Sequence, residues 1–368
     1  MVTKKSLYSD LPVPPGEYLE EVIDELGMTK DELAKRLNRP APKLSAIFKG
    51  EKSITPSTAL QLEKVVGVPA HIWTGLEAEY RLGLTRNQQD KEQRQLKTES
   101  RLVTRFCYAD LAKIGVVAKK SRPIEKALEL QKFFGVTSLE TVLGLRRYQA
   151  AFRSGVNGKR KRSCESVAAW LRIGELEAQK RECVPFHKKK LKQALHLIRA
   201  MTLQLPDRFE HNLNRVLADS GVALVLCPHL PRTYAHGATF WLNKDKAVLM
   251  ITLRYNWADI FWFSLFHELG HILLHNRQFV ILEGSDVAPL FENQEAEANQ
   301  FAANMLISPS SYKEFVKKER FYPEDIENFA AQLGISPGIV VGRLQNDKYL
   351  AQTWHNKLRT RFEWKATD

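Results

Sequence analysis

Hydrophobic and polar residues follow a helical period between residues 16 and 84. In the segment MTKDELAKRL, the apolar residues Leu33 and Leu37 lie four positions apart. Thr29 stands before them, and Glu32 lies three residues after Thr29, which is the spacing of a capping box. This pattern predicts a helix that begins directly after Thr29.

A turn and a second helix follow at once. The run NRPAP at 38–42 stops the first helix, and the apolar positions of PKLSAIFK predict the next one over 42–49. Thr55 and Pro69 are each placed to open a further helix. Two helices joined by a short turn, with a small residue in the first, are typical of a helix-turn-helix. We therefore predict a five-helix, all-α DNA-binding domain over residues 12–84, with a bundle that binds only protein as the alternative.

The pattern changes from helical to β-rich in the carboxy-terminal half. Three short runs rich in β-branched and aromatic residues, VALVLCPHL, ATFWL and AVLMITL, follow one another between residues 222 and 253. Polar turns separate them, which predicts a small antiparallel sheet. An apolar helical segment, FWFSLFHELGHILLH, comes directly afterwards. The fold class predicted for the whole chain is α+β, mostly α.

The net charge of +13 is concentrated in the middle of the chain. Residues 86–200 contain 27 Lys and Arg against 11 Asp and Glu, whereas the segments on either side are close to neutral. The densest basic clusters are Lys159–Arg162 and Lys188–Lys190. Such an excess indicates a polyanion partner or an acidic protein surface, with a solvated charged face as the alternative. We interpret residues 85–164 as a basic helical middle region or linker.

The cysteine content and the amino-terminal residues indicate the compartment. The four cysteines lie far apart, and no two of them have Cys-x-x-Cys spacing, so neither a thiolate zinc site nor a disulfide scaffold is indicated. The first residues lack the apolar core of a signal peptide, and no segment approaches about 18 uncharged apolar residues. We expect a cytoplasmic protein with no membrane partner.

The segment FHELGHILLH, residues 266–275, carries the candidate chemistry. His267 and His271 lie four positions apart, so on a helix their imidazoles can point at a common position. Glu268 lies beside the first histidine, which gives the H-E-x-x-H arrangement of zinc hydrolases; a buried pair of core histidines is the alternative. If the helix continued at ~1.5 Å per residue, His275 would lie ~12 Å from His267 along the axis. We interpret His275 as a surface residue or a support for a ligand.

The segment QEAEANQFAANML, residues 294–306, offers a third ligand. Its apolar positions have helical periodicity, with Glu295 and Asn299 four residues apart on the neighbouring face. In catalytic zinc sites a carboxylate from a second helix can complete the ligand set, and a polar residue commonly supports a histidine ligand. We predict Glu295 as the ligand and Asn299 as the supporting residue, with Glu297 as the alternative ligand.

Two stretches resemble known families. The sequence from MTKDELAKRL through LSAIFKGEKSITPSTALQLEKVVGVPAHIWTGLEAEYRL resembles the HigA-type antitoxins of the XRE (lambda-repressor-like) superfamily, over residues 12–84. FWFSLFHELGHILLH followed by EAEANQFAANMLISP resembles the ImmA/IrrE metallopeptidase family, over residues 165–345. Where many members of that family have Met-Pro, this chain has Ile-Ser-Pro at 307–309, which is distant from the predicted ligands. Residues 346–368 are interpreted as a C-terminal tail.

The second resemblance implies a zincin-like domain with an HExxH helix. Its Zn²⁺ would be bound by the two histidines of the motif and by Glu295, with Glu268 as the catalytic base that activates water. An extended substrate could pair with an exposed sheet edge, for which ATFWL is the candidate. Tyr234 and His236 are candidates for the oxyanion donor, with a plain loop role as the alternative.

The first resemblance implies double-stranded DNA as a partner. The predicted helix 42–49 would lie in the major groove, where Lys43 and Ser45 reach base edges or phosphates. Arg39 in the turn and Lys49 near the helix end would contact the DNA backbone. A homodimer is compatible with such a module, and the HigA resemblance adds a cognate toxin as a candidate partner.

Joined, the two resemblances predict a DNA-binding transcriptional regulator with a zinc-dependent endopeptidase that cleaves a repressor or other regulatory protein. Two alternatives stay open. One is a non-proteolytic HigA-type antitoxin or repressor whose zinc domain is a sensor or scaffold. The other is a stand-alone transcription factor whose carboxy-terminal half binds a toxin. The intact Glu268 favours the peptidase, because a structural zinc site needs ligands but no base.

Overall fold

The chain divides into two compact units, Met1–Thr98 and Glu99–Asp368. In the parts of the chain that are described, no helix combines the length and the apolar character needed to cross a membrane. The computed structural model describes residues 12–148, 162–275, 281–282 and 292–364.

The first unit is built from helices, as the sequence predicts. Thr29 caps the second helix by accepting a hydrogen bond from the Glu32 amide at 3.2 Å. Thr55 caps the fourth in the same way, accepting from the Thr58 amide at 3.3 Å. The N-cap predicted at Thr29 is therefore confirmed, while the Glu32 carboxylate accepts from Arg36. The helices of this unit are Pro15–Glu25 (α1), Lys30–Arg36 (α2), Ala41–Phe48 (α3), Pro56–Val66 (α4) and Ala70–Glu99 (α5).

The fifth helix is longer than the pattern predicts. We expect it to end near Leu82, but α5 continues to Glu99. The residues after Leu84 contain no Gly or Pro and are rich in Gln, Lys, Glu and Arg, all of which favour a helix. The loss of apolar periodicity after Leu84 therefore marks an exposed helical extension.

A close helix contact fixes α1 against α3 in the first unit. A Cβ atom at Gly16 would lie 2.3 Å from the carbonyl oxygen of Phe48, so only glycine permits this approach. The core beneath is formed by fully buried Leu19, Leu33 and Trp73. Burial of large apolar side chains at these positions holds the short helices together.

The second unit combines helices with one small sheet. Its strands are Val222–Leu226 (β1), Gly237–Asn243 (β2), Lys246–Ile251 (β3) and Ile281–Leu282 (β4). Its helices are Tyr108–Lys113 (α6), Pro123–Phe134 (α7), Cys164–Lys180 (α8), Lys188–Ala200 (α9), Pro206–Ala218 (α10), Ala258–Leu274 (α11), Glu292–Leu306 (α12), Pro309–Val316 (α13), Pro323–Leu333 (α14) and Pro337–Asn346 (α15). The predicted α+β, mostly α class is confirmed.

The sheet is mixed, which corrects the prediction of an antiparallel sheet. Its order is β1-β3-β2-β4; β2 is antiparallel to β3 and β4, but β1 and β3 are parallel. The prediction assumed that consecutive strands are neighbours. Residues 227–236 instead connect β1 to a strand that is not its neighbour, because β2 lies one strand position away from β1. β3 then returns through a tight hairpin and inserts between β1 and β2.

The two faces of the sheet belong to two hydrophobic clusters. Alternate residues such as Leu224 and Leu249 pack with the cluster that contains α10 and α11. Their neighbours, such as Val225 and Met250, pack with α8 and with residues 103–148. The predicted middle region, 85–164, therefore contributes part of its length to the core of the second unit.

The segment after α15 also packs into the second unit. The amide of Ala258 donates to the Thr360 carbonyl at 2.9 Å, and the amide of Phe362 donates to the Asn256 carbonyl at 2.8 Å. Phe362 is buried. The part of the predicted tail that the structure describes is thus attached to the start of α11.

Candidate metal centre

Helix α11 carries the two histidines and is buried along almost its whole length. Its first turn is anchored by Asp259, whose carboxylate accepts hydrogen bonds from the Arg359 guanidinium at 2.8 and 3.0 Å. Gly270 lets α12 approach closely, because a Cβ there would lie 3.1 Å from Cδ1 of Phe301 and 3.3 Å from Cα of Ala298. The ligand candidates of the two helices therefore face each other across a narrow gap.

Three side chains from these helices converge on one position. Nε2 of His267 lies 2.9 Å from Nε2 of His271 and 3.3 Å from Oε2 of Glu295. Nε2 of His271 lies 3.3 Å from Oε1 of Glu295. All three residues are buried, and together they form a group that could hold a metal ion. Two imidazole nitrogens and one carboxylate, with a fourth position left open, are the donor set of catalytic zinc sites.

Asn299 orients the first histidine. Nδ1 of His267 and Oδ1 of Asn299 are 3.0 Å apart. Since an amide oxygen can only accept, Nδ1 of His267 carries the proton and donates it. With its proton on Nδ1, the neutral ring leaves Nε2 available to bind a metal ion, which is the tautomer that a zinc ligand requires.

A chain of two further side chains orients the second histidine. The helix ends at Leu274, and His275 follows in an extended conformation. Nε2 of His275 donates to Oε2 of Glu297 at 3.1 Å, and its Nδ1 lies 2.9 Å from Nδ1 of His271. His275 therefore accepts from Nδ1 of His271 and leaves Nε2 of His271 free to bind. Glu297, the alternative ligand, contacts His275 in this arrangement and is not a member of the three-residue group.

Glu268 is fully buried. A residue of the sheet holds its carboxylate in place. Thr239 in β2 donates its hydroxyl hydrogen to Oε2 of Glu268 at 2.5 Å. Gly237 makes room for the carboxylate, because a Cβ there would lie 2.6 Å from Oε1. A residue of the neighbouring strand thus holds the side chain that follows His267 along α11.

The electrostatics of the group suit a cation. Burial lowers the pKa of His271 to about 4, although Glu295 acts in the opposite direction, so the imidazole is neutral at pH 7. Burial raises the pKa of Glu295, but its contacts with His267 and His271 outweigh burial and lower the pKa to about 2. An ionised carboxylate beside neutral imidazoles is the state that binds zinc.

The two oxyanion candidates lie in different surroundings. Burial and the nearby Arg254 lower the pKa of His236 to about 4, so this imidazole is neutral at pH 7. The Tyr234 carbonyl accepts a hydrogen bond from Arg254 at 2.6 Å, and the guanidinium lies 5.5 Å from the Tyr234 ring centroid. Tyr234 adopts a left-handed backbone, with a φ of 52°. His236, and not Tyr234, lines the cavity that borders α11.

The predicted docking edge of the sheet is already paired in part. Ala238 and Thr239, within the ATFWL run, pair with Leu282 and Ile281 of β4. This stretch of β2 is therefore not a free edge, contrary to the prediction. The reason is a strand of two residues, which is too short to leave a periodic pattern in the sequence.

The candidate DNA contacts lie in the first unit: Arg39 before α3, Lys43 and Ser45 on it, and Lys49 directly after it. Lys43, Ser45 and Lys49 are exposed. Nε of Arg39 donates to Oε1 of Gln61 at 2.9 Å, which holds this side chain against α4. α3 spans Ala41–Phe48, one residue earlier than the predicted 42–49.

The structure describes all of one predicted basic cluster and only part of the other. Lys188–Lys190 are exposed in the first turn of α9. Of the other cluster, residues 159–161 lie outside the described residues.

Sequence reasoning missed Thr239, Gly237 and the Asp259–Arg359 pair. Thr239 and Gly237 stand in a strand about 30 residues before Glu268, and no local spacing connects them to the motif. Arg359 lies 100 positions after Asp259. Only the folded chain brings these residues to the helix that they support.

Family models match the two regions separately. A helix-turn-helix model matches residues 19–73, and the model of the IrrE N-terminal-like domain, Peptidase_M78, matches residues 254–345. The second range contains α11, α12 and the whole three-residue group. The chain therefore belongs to the helix-turn-helix proteins through its first unit and carries an IrrE N-terminal-like domain of the Peptidase_M78 family in its second.

Three similar proteins each match about a fifth of this chain. Virulence-associated protein I of Dichelobacter nodosus is 32% identical over 81 residues, which cover 22% of this chain and 73% of that protein. The HTH-type transcriptional regulator YddM of Escherichia coli K12 is 29% identical over 63 residues, 17% of this chain and 67% of that protein. A HigA-family antidote protein from Coxiella burnetii has a solved structure that is 36% identical, with a TM-score of 0.21, covering 22% of this chain and 88% of that one.

Proposed function

We propose that this protein is a DNA-binding regulator whose second unit is a zinc-dependent endopeptidase acting on a repressor or another regulatory protein. The Peptidase_M78 match and the buried group of His267, His271 and Glu295 support the enzymatic part. The helix-turn-helix match supports the DNA-binding part.

The residues of the site divide the chemistry among them. Zinc bound by this group would polarise a peptide carbonyl and lower the pKa of a water molecule towards ~7. Glu268, held by Thr239, takes the proton of the attacking water and passes it to the leaving amine. Asn299 and His275 keep the ligand nitrogens of the two histidines directed at the metal position. His236, as a neutral imidazole at the cavity wall, can donate a hydrogen bond to the developing oxyanion.

The observation that carries this proposal is the position of Glu268. It is fully buried beside the ligands, and two residues of β2 are adapted to it, Thr239 by a hydrogen bond and Gly237 by leaving space. A metal site that only stabilises the fold requires no such carboxylate. Burial of a carboxylate is costly, and a catalytic role accounts for that cost.

DNA binding by the first unit would bring the peptidase close to proteins that bind the same stretch of DNA. If the first unit binds an operator, a repressor bound nearby meets the peptidase at a raised local concentration, without any new contact at the scissile bond. The resemblance to HigA-type proteins and to a transcriptional regulator also supports a second candidate, a regulator without proteolysis. In that case the metal would act as a sensor or scaffold, and a toxin would be the bound partner.

Mapping of newly formed protein amino termini separates the two candidates. Extract from cells that lack the protein is incubated with the purified protein, with a chelator-treated sample, and with a chelator-treated sample to which zinc is restored. The peptidase predicts new termini in the first and third samples, concentrated in DNA-binding proteins. Identical termini in all three samples would leave the non-proteolytic regulator as the function.

A further inference from the structure

A cavity of about 620 Å³ borders the candidate metal centre. Along α11 its wall includes Phe263, which lies one turn before His267. Along α12 it includes Asn299, which contacts His267, and Ala303 one turn further. Glu295, Asn299 and Ala303 follow at intervals of four and share one helix face. The cavity therefore reaches the candidate metal centre through Asn299, which contacts His267, and is lined by residues of both helices.

The wall of this cavity is mainly apolar away from the metal. Two small residues line it, Ala303 from α12 and Gly342 from α15. A Cβ at Gly342 would lie 2.3 Å from Oδ2 of Asp259, so glycine at this position lets α15 pack against Asp259 at the cavity wall. The large apolar residues of the wall are Ile260, Phe263, Leu306, Ile307 and Ile339.

The carboxylates at the wall already have partners. Asp259 is paired with Arg359, and both side chains are only 7% exposed. Asp347 accepts hydrogen bonds from Arg343 at 2.7 Å and from Tyr312 at 2.9 Å. A charged side chain entering the cavity would lose its hydration without gaining an uncommitted counter-ion. A large apolar side chain would instead gain from burial.

We propose that this cavity is the specificity pocket of the peptidase and that it takes a large uncharged side chain, Leu, Met or Phe, beside the scissile bond. Its volume lies in the range of roughly 300–1,000 Å³ that is usual for ligand pockets, so residues next to the anchoring side chain enter as well. Ala303 and Ile339 are then the residues that determine specificity. This inference rests on the proposed peptidase function.

Peptide selection without cleavage tests the pocket. The full chain with Glu268→Gln is immobilised with zinc and exposed to end-blocked synthetic decapeptides that are randomised at the central positions. Mass spectrometry identifies the peptides that are retained. We expect Leu, Met and Phe to be enriched about tenfold or more over Asp and Lys at one position. Retained peptides without an apolar preference would overturn the proposal.

A matched pair of variants tests whether the cavity is the source of the preference for apolar peptides. Adding Ala303→Phe to the same background fills the cavity and should shift retention towards peptides with small residues, whereas Asn304→Phe, at an exposed neighbouring position, should leave it unchanged. Ala303→Val should give a smaller shift in the same direction if Ala303→Phe prevents folding. Zinc content reports folding in each case. An unchanged preference in both Ala303 variants would contradict the assignment.

Cleavage of the same library by the protein with Glu268 intact separates this inference from the proposed function. Selection of apolar peptides without cleavage of any would refute the peptidase and leave the pocket. Cleavage that ignores apolar residues would refute the pocket and leave the peptidase.

Discussion

The two candidate functional surfaces differ in how their residues are held. On α3 and directly after it, the side chains of Lys43, Ser45 and Lys49 are exposed. At the metal centre, His267, Glu268 and their neighbours are buried, and each is oriented by another polar side chain. An exposed DNA contact acts nearly independently of the other contacts, so its loss lowers the affinity for DNA by its own contribution alone. A buried set depends on every member, so a single change can disable it.

The largest effect is expected from loss of the ligands. His267→Ala combined with His271→Ala should remove nearly all bound metal, because a three-ligand site has no redundancy. Metal analysis of the purified protein should show about one zinc per chain in the wild type. His211→Ala, at an exposed histidine of α10, is the control and should retain the metal. Full zinc occupancy in the double variant would refute the ligand assignment.

A change in the strand beside Glu268 should disable the site while keeping the metal. Gly237→Ala places a methyl group 2.6 Å from the Glu268 carboxylate and must displace it. Displacement of a catalytic group by about 1 Å can cost about 10²-fold in rate. Gly144→Ala, where a Cβ meets nothing within 4 Å, is the control. Equal cleavage rates for the two variants would show that the carboxylate position is not critical.

The supporting residues should give intermediate effects. Asn299→Ala and His275→Ala each remove the group that orients a ligand, and each should weaken zinc binding by about 10–100-fold. Competition with a chelator of known affinity measures this loss. Asn293→Ala, at an exposed position of α12, is the comparison. If both variants held zinc as tightly as Asn293→Ala, the proposed orientation of the ligands would be wrong.

The smallest effects should come from the exposed surface of the first unit. Lys43→Glu should weaken specific DNA binding and make the dependence of log affinity on log salt shallower by about one unit, since one phosphate contact is lost. Lys64→Glu on α4 carries the same charge change at an exposed position and serves as the control. Binding titrations on a duplex selected with the full chain provide the measurement. Identical salt slopes for the two variants would remove Lys43 from the interface.

The difference between the two regions also shows which features could be predicted from the sequence. The caps at Thr29 and Thr55, and the four-residue spacing of His267 and His271, are local, so short-range rules suffice for them. The insertion of β3 between β1 and β2 depends on contacts between distant segments. The same is true of the Asp259–Arg359 pair, whose partners are 100 positions apart. Local periodicity contains no information about such pairings.

The central claim is that Glu268 is the base of a zinc peptidase. Its most direct test compares the wild type with Glu268→Gln, both loaded with zinc to the same level, on one protein substrate identified from its new amino terminus. We predict equal zinc content and a loss of cleavage of about 10²–10⁴-fold in the variant, the usual contribution of a general base. Equal cleavage rates at equal zinc content would contradict the account.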